Sequence, residues 1–233
     1  MRNIVGINDC MNTFEGDGIP VTRAFPVPAM RENDPFLLFD HFGPINYEPG
    51  GATGVPAHPH CGFEAITYLL GGEVEHKDSW GGQAAIETGD IQWMTTGSGL
   101  IHSELVTDKF KKSGGEMQGL QIWVNLPQKH KQVKPWYQHI KKNDIPTIDE
   151  GNDVLIKVLV GKVKNISSAV QTYSPVSIFD VQFIKPSLID LDISKNQTVM
   201  VYVIDGELKF HDENQIARKG QMIYFDQSSD MIN

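Results

Sequence analysis

Four side chains in the first half of the sequence have the types and spacing to hold a transition-metal ion. They come as two pairs: His58 with His60 in H-P-H-C-G-F-E, and His102 with Glu104 in G-S-G-L-I-H-S-E. One residue separates the members of each pair. Residues i and i+2 of a β-strand point to the same face, about 6.6–7 Å apart along the chain. Two such strands facing each other would bring three imidazoles and one carboxylate to a single point. Imidazole suits iron, copper, nickel and zinc, and carboxylate adds a hard anionic oxygen. The expected ligand set is therefore His58, His60, His102 and Glu104. Glu64 shares the face parity of His58 and His60. It competes with Glu104 as a ligand, or else orients one or sits as an interior carboxylate. Cys61 has the opposite parity in a regular strand and reaches a metal only if a bulge at Pro59 turns it.

The elements that must position these residues are short strands. Phe63 to Leu70 is rich in β-branched and aromatic residues, and Gly71-Gly72 closes it with a turn. Gly89-Asp90 precedes the run Ile91 to Met94, and Gly97-Ser98-Gly99 marks a third turn. Strands so short and so often punctuated suggest a sandwich or barrel. Pro59 cannot donate a ladder hydrogen bond, so His58 and His60 are expected at a strand start, an edge or a bulge. Leu120, Ile122, Val124 and Leu126 alternate with Gln121, Trp123 and Asn125, which predicts a strand with one aliphatic face. Asp108 to Gly115 reads as a solvated loop. Lys129, His130, Lys131, Lys134, His139, Lys141 and Lys142 make a local basic stretch that reads as a solvated connector.

These words resemble the motifs of a known family. His58-x-His60, three residues, Glu64, six residues and Gly71 match the first cupin motif. The second cupin motif is matched by Gly89, Gly97 and His102, with Thr95 in place of its proline and Glu104 two residues on. That variant resembles pirins. D-P-F-L-L-F-D-H-F-G-P over Asp34–Pro44 and G-L-Q-I-W-V-N-L-P over Gly119–Pro127 add to the likeness. The resemblance implies metal ligands at His58, His60, His102 and Glu104, with Glu64 not among them, and iron(II) as the metal.

The chain also resembles itself. Ile66–Val74 is similar to Met200–Leu208, and Gly89–Trp93 to Gly220–Tyr224. A repeat of this size implies two copies of one unit. The predicted fold is all-β: a bicupin of two consecutive antiparallel β-barrels (double-stranded β-helices) with few short helices. The first is expected over residues 1–142 with the metal site. The second is expected over 143–233, beyond a linker at Asn143–Asn152. Aligning Gly72 with Gly206 sets Asp192, Ser194 and Thr198 against His58, His60 and Glu64. Aligning Gly89 with Gly220 sets Asn233 against His102. The second copy is thus expected to be metal-free, and it is shorter than pirins generally are. An edge strand near Ile223 would be exposed or covered by another segment.

Composition bounds the rest. With 29 acidic and 20 basic residues the net charge is -9, which disfavours direct binding of a phosphate backbone. Two cysteines are too few for a disulfide framework and fit a reducing compartment. The absence of an apolar leader or a run long enough to span a bilayer predicts a cytoplasmic protein away from membranes. The likeness to pirins implies a dioxygenase of the quercetin 2,3-dioxygenase type. Its substrate would be a flavonol or similar aromatic enol, with Glu104 as both ligand and base, and Phe63 and Trp93 are expected near the site. The same likeness implies an alternative, an iron- and redox-responsive regulator that binds a protein partner without turnover.

Overall fold

A computed structural model gives the fold and describes residues 1–16, 18–28, 33–151, 153–210 and 215–232. The chain begins with β1 (Ile4–Asp9), β2 (Met11–Glu15), β3 (Ile19–Phe25) and β4 (Phe36–Tyr47). It continues through β5 (Gly54–His60), β6 (Phe63–Gly71), β7 (Glu73–Asp78), β8 (Gln83–Glu87), β9 (Ile91–Thr95) and β10 (Leu100–Val106). After a short helix, α1 (Asp108–Ser113), come β11 (Gly115–Asn125) and β12 (Trp136–Ile140). The architecture is all-β. Among the described residues α1 is joined only by two three-residue 3-10 turns, and no helix is long and apolar enough to cross a membrane.

Two compact units divide the chain. The larger holds Asn12–Thr147 and Lys157–Asp180, and the smaller holds Met1–Met11, Ile148–Ile156 and Val181–Asn233. The sequence-based boundary at 142/143 takes two consecutive segments, whereas these units interleave along the chain.

In the larger unit a seven-stranded sheet runs in the order β12-β9-β6-β11-β4-β3-β2, and a four-stranded sheet in the order β5-β10-β7-β8. β6 lies between β9 and β11 and buries six consecutive residues, Glu64 to Leu69. A strand flanked on both sides and covered on both faces has no reason to alternate, which is why its sequence reads as a continuous run. β9 is buried throughout, and β11 alternates as its sequence predicts, with Leu120, Ile122 and Val124 buried. Leu69, Val74, Ile86, Phe110 and Met117 pack in one core cluster. Burying side chains of this size contributes about 1.5–3 kcal/mol each. That cluster anchors β7, the strand beside β10, in its register.

The residues from 108 to 115 correct the loop expectation. Thr107 accepts a hydrogen bond from the Phe110 amide at 3.2 Å and caps α1, and Phe110 turns inward to 7% exposure. A cap plus one buried aromatic outweighs the lysines and glycines that read as loop. The linker stretch likewise carries a 3-10 turn, Lys142–Asp144, and a strand, Thr147–Asp149, while Asn152 lies outside the described residues.

The smaller unit pairs β1 with Gln221–Phe225, which pairs in turn with Met200–Tyr202. Ile223 is fully buried there, so β1 is the cover that the edge strand needed. Arg2 is 6% exposed and donates to the carbonyls of Ser194, Gln197, Asp226 and Ser229. The internal repeat is visible in the hydrogen-bond registers. Ile66 faces Trp93 as Met200 faces Tyr224, and Tyr68 faces Ile91 as Tyr202 faces Met222. The Gly89 amide donates to Leu69 as the Gly220 amide donates to Val203.

Candidate metal centre

β10 runs through the centre of the site. It pairs antiparallel with β5 on one side, where His102 faces His58 and Leu100 faces His60. It pairs with β7 on the other, where His102 faces Asp78 and Glu104 faces His76. Side chains directly opposite in an antiparallel pair share a face, and so do residues two apart on one strand. One face of the four-stranded sheet therefore carries His58, His60, His102, Glu104, His76 and Asp78. β5 is the edge of this sheet, and its register slips between His102 and Glu104, so Glu104 meets Val55. Edge position accommodates Pro59, which faces Ile101 in regular register outside the slip. Gly54 makes the slip feasible: its φ is +82°, and a Cβ there would lie 2.3 Å from the Glu104 carbonyl oxygen.

Among the described residues His58, His60 and His102 form a group whose potential ligand atoms all lie within 4.8 Å of one another. The three ring centroids are 4.3–4.9 Å apart. His58 Nδ1 donates to the Pro56 carbonyl at 2.8 Å, which leaves its Nε2 lone pair free. His102 is 3% exposed, and its Nε2 is buried without a hydrogen-bond partner. Burial, then the neighbouring His58, pushes His60 down to about 4. Burial and the surrounding histidines push His102 far below the usual histidine range. Both rings are neutral near pH 7 and offer lone pairs rather than charge. An orphaned imidazole nitrogen facing two more imidazoles fits a divalent transition-metal ion.

Glu104 lies outside the three-histidine group. Its Oε1 accepts from Gln92 Nε2 and from Thr67 Oγ1, the latter at 3.0 Å. Gln92 is itself within 3.4 Å of the Tyr137 hydroxyl. Glu64 is fully buried, with Oε1 accepting from Trp93 Nε1 and Thr95 Oγ1 and Oε2 accepting from Thr172 Oγ1. It is an interior carboxylate, not a member of the group. Cys61 is exposed and also outside it. Phe63 stands by His60, their centroids 5.1 Å apart, while Trp93 is fully buried and engaged with Glu64.

Two neighbours carry no flag in the sequence reading. Trp123 lies 5.2 Å from His60 and stacks on Phe63 at 4.4 Å. His76 lies 5.4 Å from His102, is fully buried, and stacks on Tyr137 at 4.2 Å. His76 and Asp78 form an i, i+2 pair of the very kind that flagged the others. His60 opens on a cleft of about 470 Å³, lined also by Pro59, Cys61, Ser98, Leu100 and Ile101. In the basic stretch, Lys131 donates to the Gly62 carbonyl at 2.8 Å, and the Asp90 carboxylate accepts from His139 Nε2 at the same distance.

Residues 18–124 match the pirin family. A Pseudomonas aeruginosa protein, named provisionally as a quercetin 2,3-dioxygenase, is 37% identical over 97% of this chain and 80% of its own length. This chain belongs to the pirin family. Human pirin is 37% identical over 83% of the chain, which spans 63% of that protein's length. The crystal structure of a quercetin 2,3-dioxygenase from Acinetobacter baumannii superposes with a TM-score of 0.91 at 33% identity, covering 99% of this chain and 81% of the other. The matched pirin segment contains β5, β7 and β10, so it holds every residue of the histidine group.

Proposed function

We propose that this pirin is a metal-dependent dioxygenase of the quercetin 2,3-dioxygenase type, with iron(II) as its metal and a flavonol-like aromatic enol as its substrate. The observation that carries the reading is the group His58, His60 and His102, with the His102 Nε2 buried and unpartnered. The similarity to proteins named for this activity supports the reaction class. His58, His60 and His102 would hold the metal, with Glu104 as the fourth ligand. Bound there, iron supplies Lewis acidity and a means of engaging dioxygen.

The chain's own residues account for the rest. Glu104 has Oε1 occupied by Gln92 and Thr67, which leaves Oε2 to reach the metal or to take the proton of the substrate hydroxyl. A carboxylate so held is oriented rather than free to rotate. Phe63 and Trp123, each beside His60, offer ring faces to an aromatic ligand, and the cleft that His60 also lines has a volume suited to a small molecule. The smaller unit, with Asp192 and Ser194 at the positions matching His58 and His60, serves as a metal-free counterpart.

The test is loss of quercetin's visible absorbance under air with iron-loaded protein, run beside His102→Ala. Rapid bleaching by the native protein alone is expected. Bleaching no faster than the variant would remove the dioxygenase reading and leave the regulatory one.

A further inference from the structure

We infer that Asp78 and His76 are positioning residues that fix His102 with its proton on Nδ1 and its Nε2 lone pair free for the metal. The inference rests on the metal-centre reading above and adds two residues and a direction to it.

The geometry forms a chain of three groups. His102 Nδ1 lies 3.5 Å from His76 Nδ1, and among the described residues His76 is the one hydrogen-bond partner of the His102 ring. His76 Nε2 lies 3.0 Å from Asp78 Oδ2. Asp78 Oδ1 accepts from the backbone amides of Trp80 at 2.7 Å and Gly82 at 2.9 Å. A carboxylate only accepts, so His76 carries its proton on Nε2. In the neutral ring Nδ1 is then an acceptor, and the facing His102 Nδ1 must donate. The remaining nitrogen, His102 Nε2, is the one that is buried and unpartnered. Each proton position follows from the one before it, beginning at two backbone amides.

Packing fixes the planes as well as the protons. The His76 ring lies parallel to Tyr137, 10° between planes. The Tyr137 hydroxyl meets Gln92, which holds Glu104. One side chain of β12 thus steadies the supports of two expected ligands. Stability alone gives little reason for this arrangement. The side chains of His76 and Asp78 are 0% and 2% exposed, and a buried polar pair of this kind is commonly no better for stability than apolar residues of equal size.

The decisive variant is Asp78→Asn. The two backbone amides hold an oxygen at the Oδ1 position, so the asparagine NH2 must face His76 Nε2. His76 Nε2 then accepts, His76 Nδ1 donates, and His102 is left with its proton on Nε2, the nitrogen the metal needs. His76→Gln keeps an acceptor and a donor along the chain, whereas His76→Leu removes both.

The probe is cobalt(II) alone, titrated into metal-free protein and followed by its visible absorption, with His102→Ala as the site control. Asp78→Asn and His76→Leu are expected to weaken cobalt binding by about 10–100-fold, with His76→Gln far closer to native. Native affinity in both Asp78→Asn and His76→Leu would overturn the relay and leave the metal centre standing. Equal cobalt binding by native protein and His102→Ala would overturn the metal centre, and the relay with it. Should a variant fail to fold, imidazole nitrogen NMR of the native metal-free protein decides. A proton on His102 Nδ1 and on His76 Nε2 supports the relay, and the opposite tautomers overturn it.

Discussion

His60 and His102 are held neutral by burial, and this sets how the metal-free protein responds to acid. The folded-state value of His60 lies near 4, below the 6.5 of an unperturbed histidine, so the unfolded chain takes up the proton first. Its contribution to stability is complete above about pH 6.5 and is lost as the pH falls towards 4. The melting midpoint of native metal-free protein should fall through that window more steeply than that of His60→Gln. Parallel curves would show that His60 titrates normally. Glu104 makes a second prediction at this scale. Glu104→Gln removes the proposed base, and quercetin consumption by the iron-loaded variant should slow by about 10²–10⁴-fold. Three of the four expected ligands converge as their i, i+2 spacing predicts, because alternation in a strand is a local property. Glu104 follows the same rule onto the same face, yet its carboxylate is tied to Gln92 and Thr67, partners contributed by β9 and β6. No local pattern reveals such partners. His76 went unflagged for the same reason: only the pairing of β7 with β10 sets it beside His102.

At the scale of elements, the site depends on a bulge. β5 slips by a residue against β10, and Gly54 allows it by approaching the β10 backbone more closely than any side chain permits. Gly54→Ala places a carbon 2.3 Å from the Glu104 carbonyl at a φ of +82°. The expected outcome is a loss of about 1–3 kcal/mol in chemical denaturation, together with weaker cobalt binding. Unchanged cobalt affinity would mean that β5 does not transmit its register to the histidines. The strands themselves were legible because glycine turns bound them and their residues suit a pleated sheet. α1 was not, since six residues with three lysines carry no apolar periodicity. Its signal was Thr107 standing just ahead of Asp108, a cap that gains meaning only once Phe110 finds a core.

For the whole molecule, the repeat was the most informative feature of the sequence. The paired registers of Ile66 with Trp93 and Met200 with Tyr224 show why it was readable: the glycines of both copies mark matching turns. What stayed hidden was the role of the first strand, because pairing between residues more than two hundred positions apart leaves no local trace. Arg2 tests that role. Its guanidinium serves four backbone carbonyls, and Arg2→Ala removes the donor they share in a region the side chain had filled, leaving Ser194 only the Gln197 amide. We expect a loss of at least about 3 kcal/mol, read as early melting of the smaller unit in hydrogen exchange, with cobalt binding by the larger unit retained. Protection unaltered around Gln221–Phe225 would count against it.

The pairing of β1 with Gln221–Phe225 also fixes an order of events on the ribosome. β1 cannot find its partner until roughly two hundred further residues have been made. At about 5–20 residues per second that wait lasts on the order of ten seconds or more. The larger unit, complete by Asp180, can take shape in the interval. β1 is thus secured long after it is made, and until then its open edge is free to pair with another chain unless a chaperone covers it.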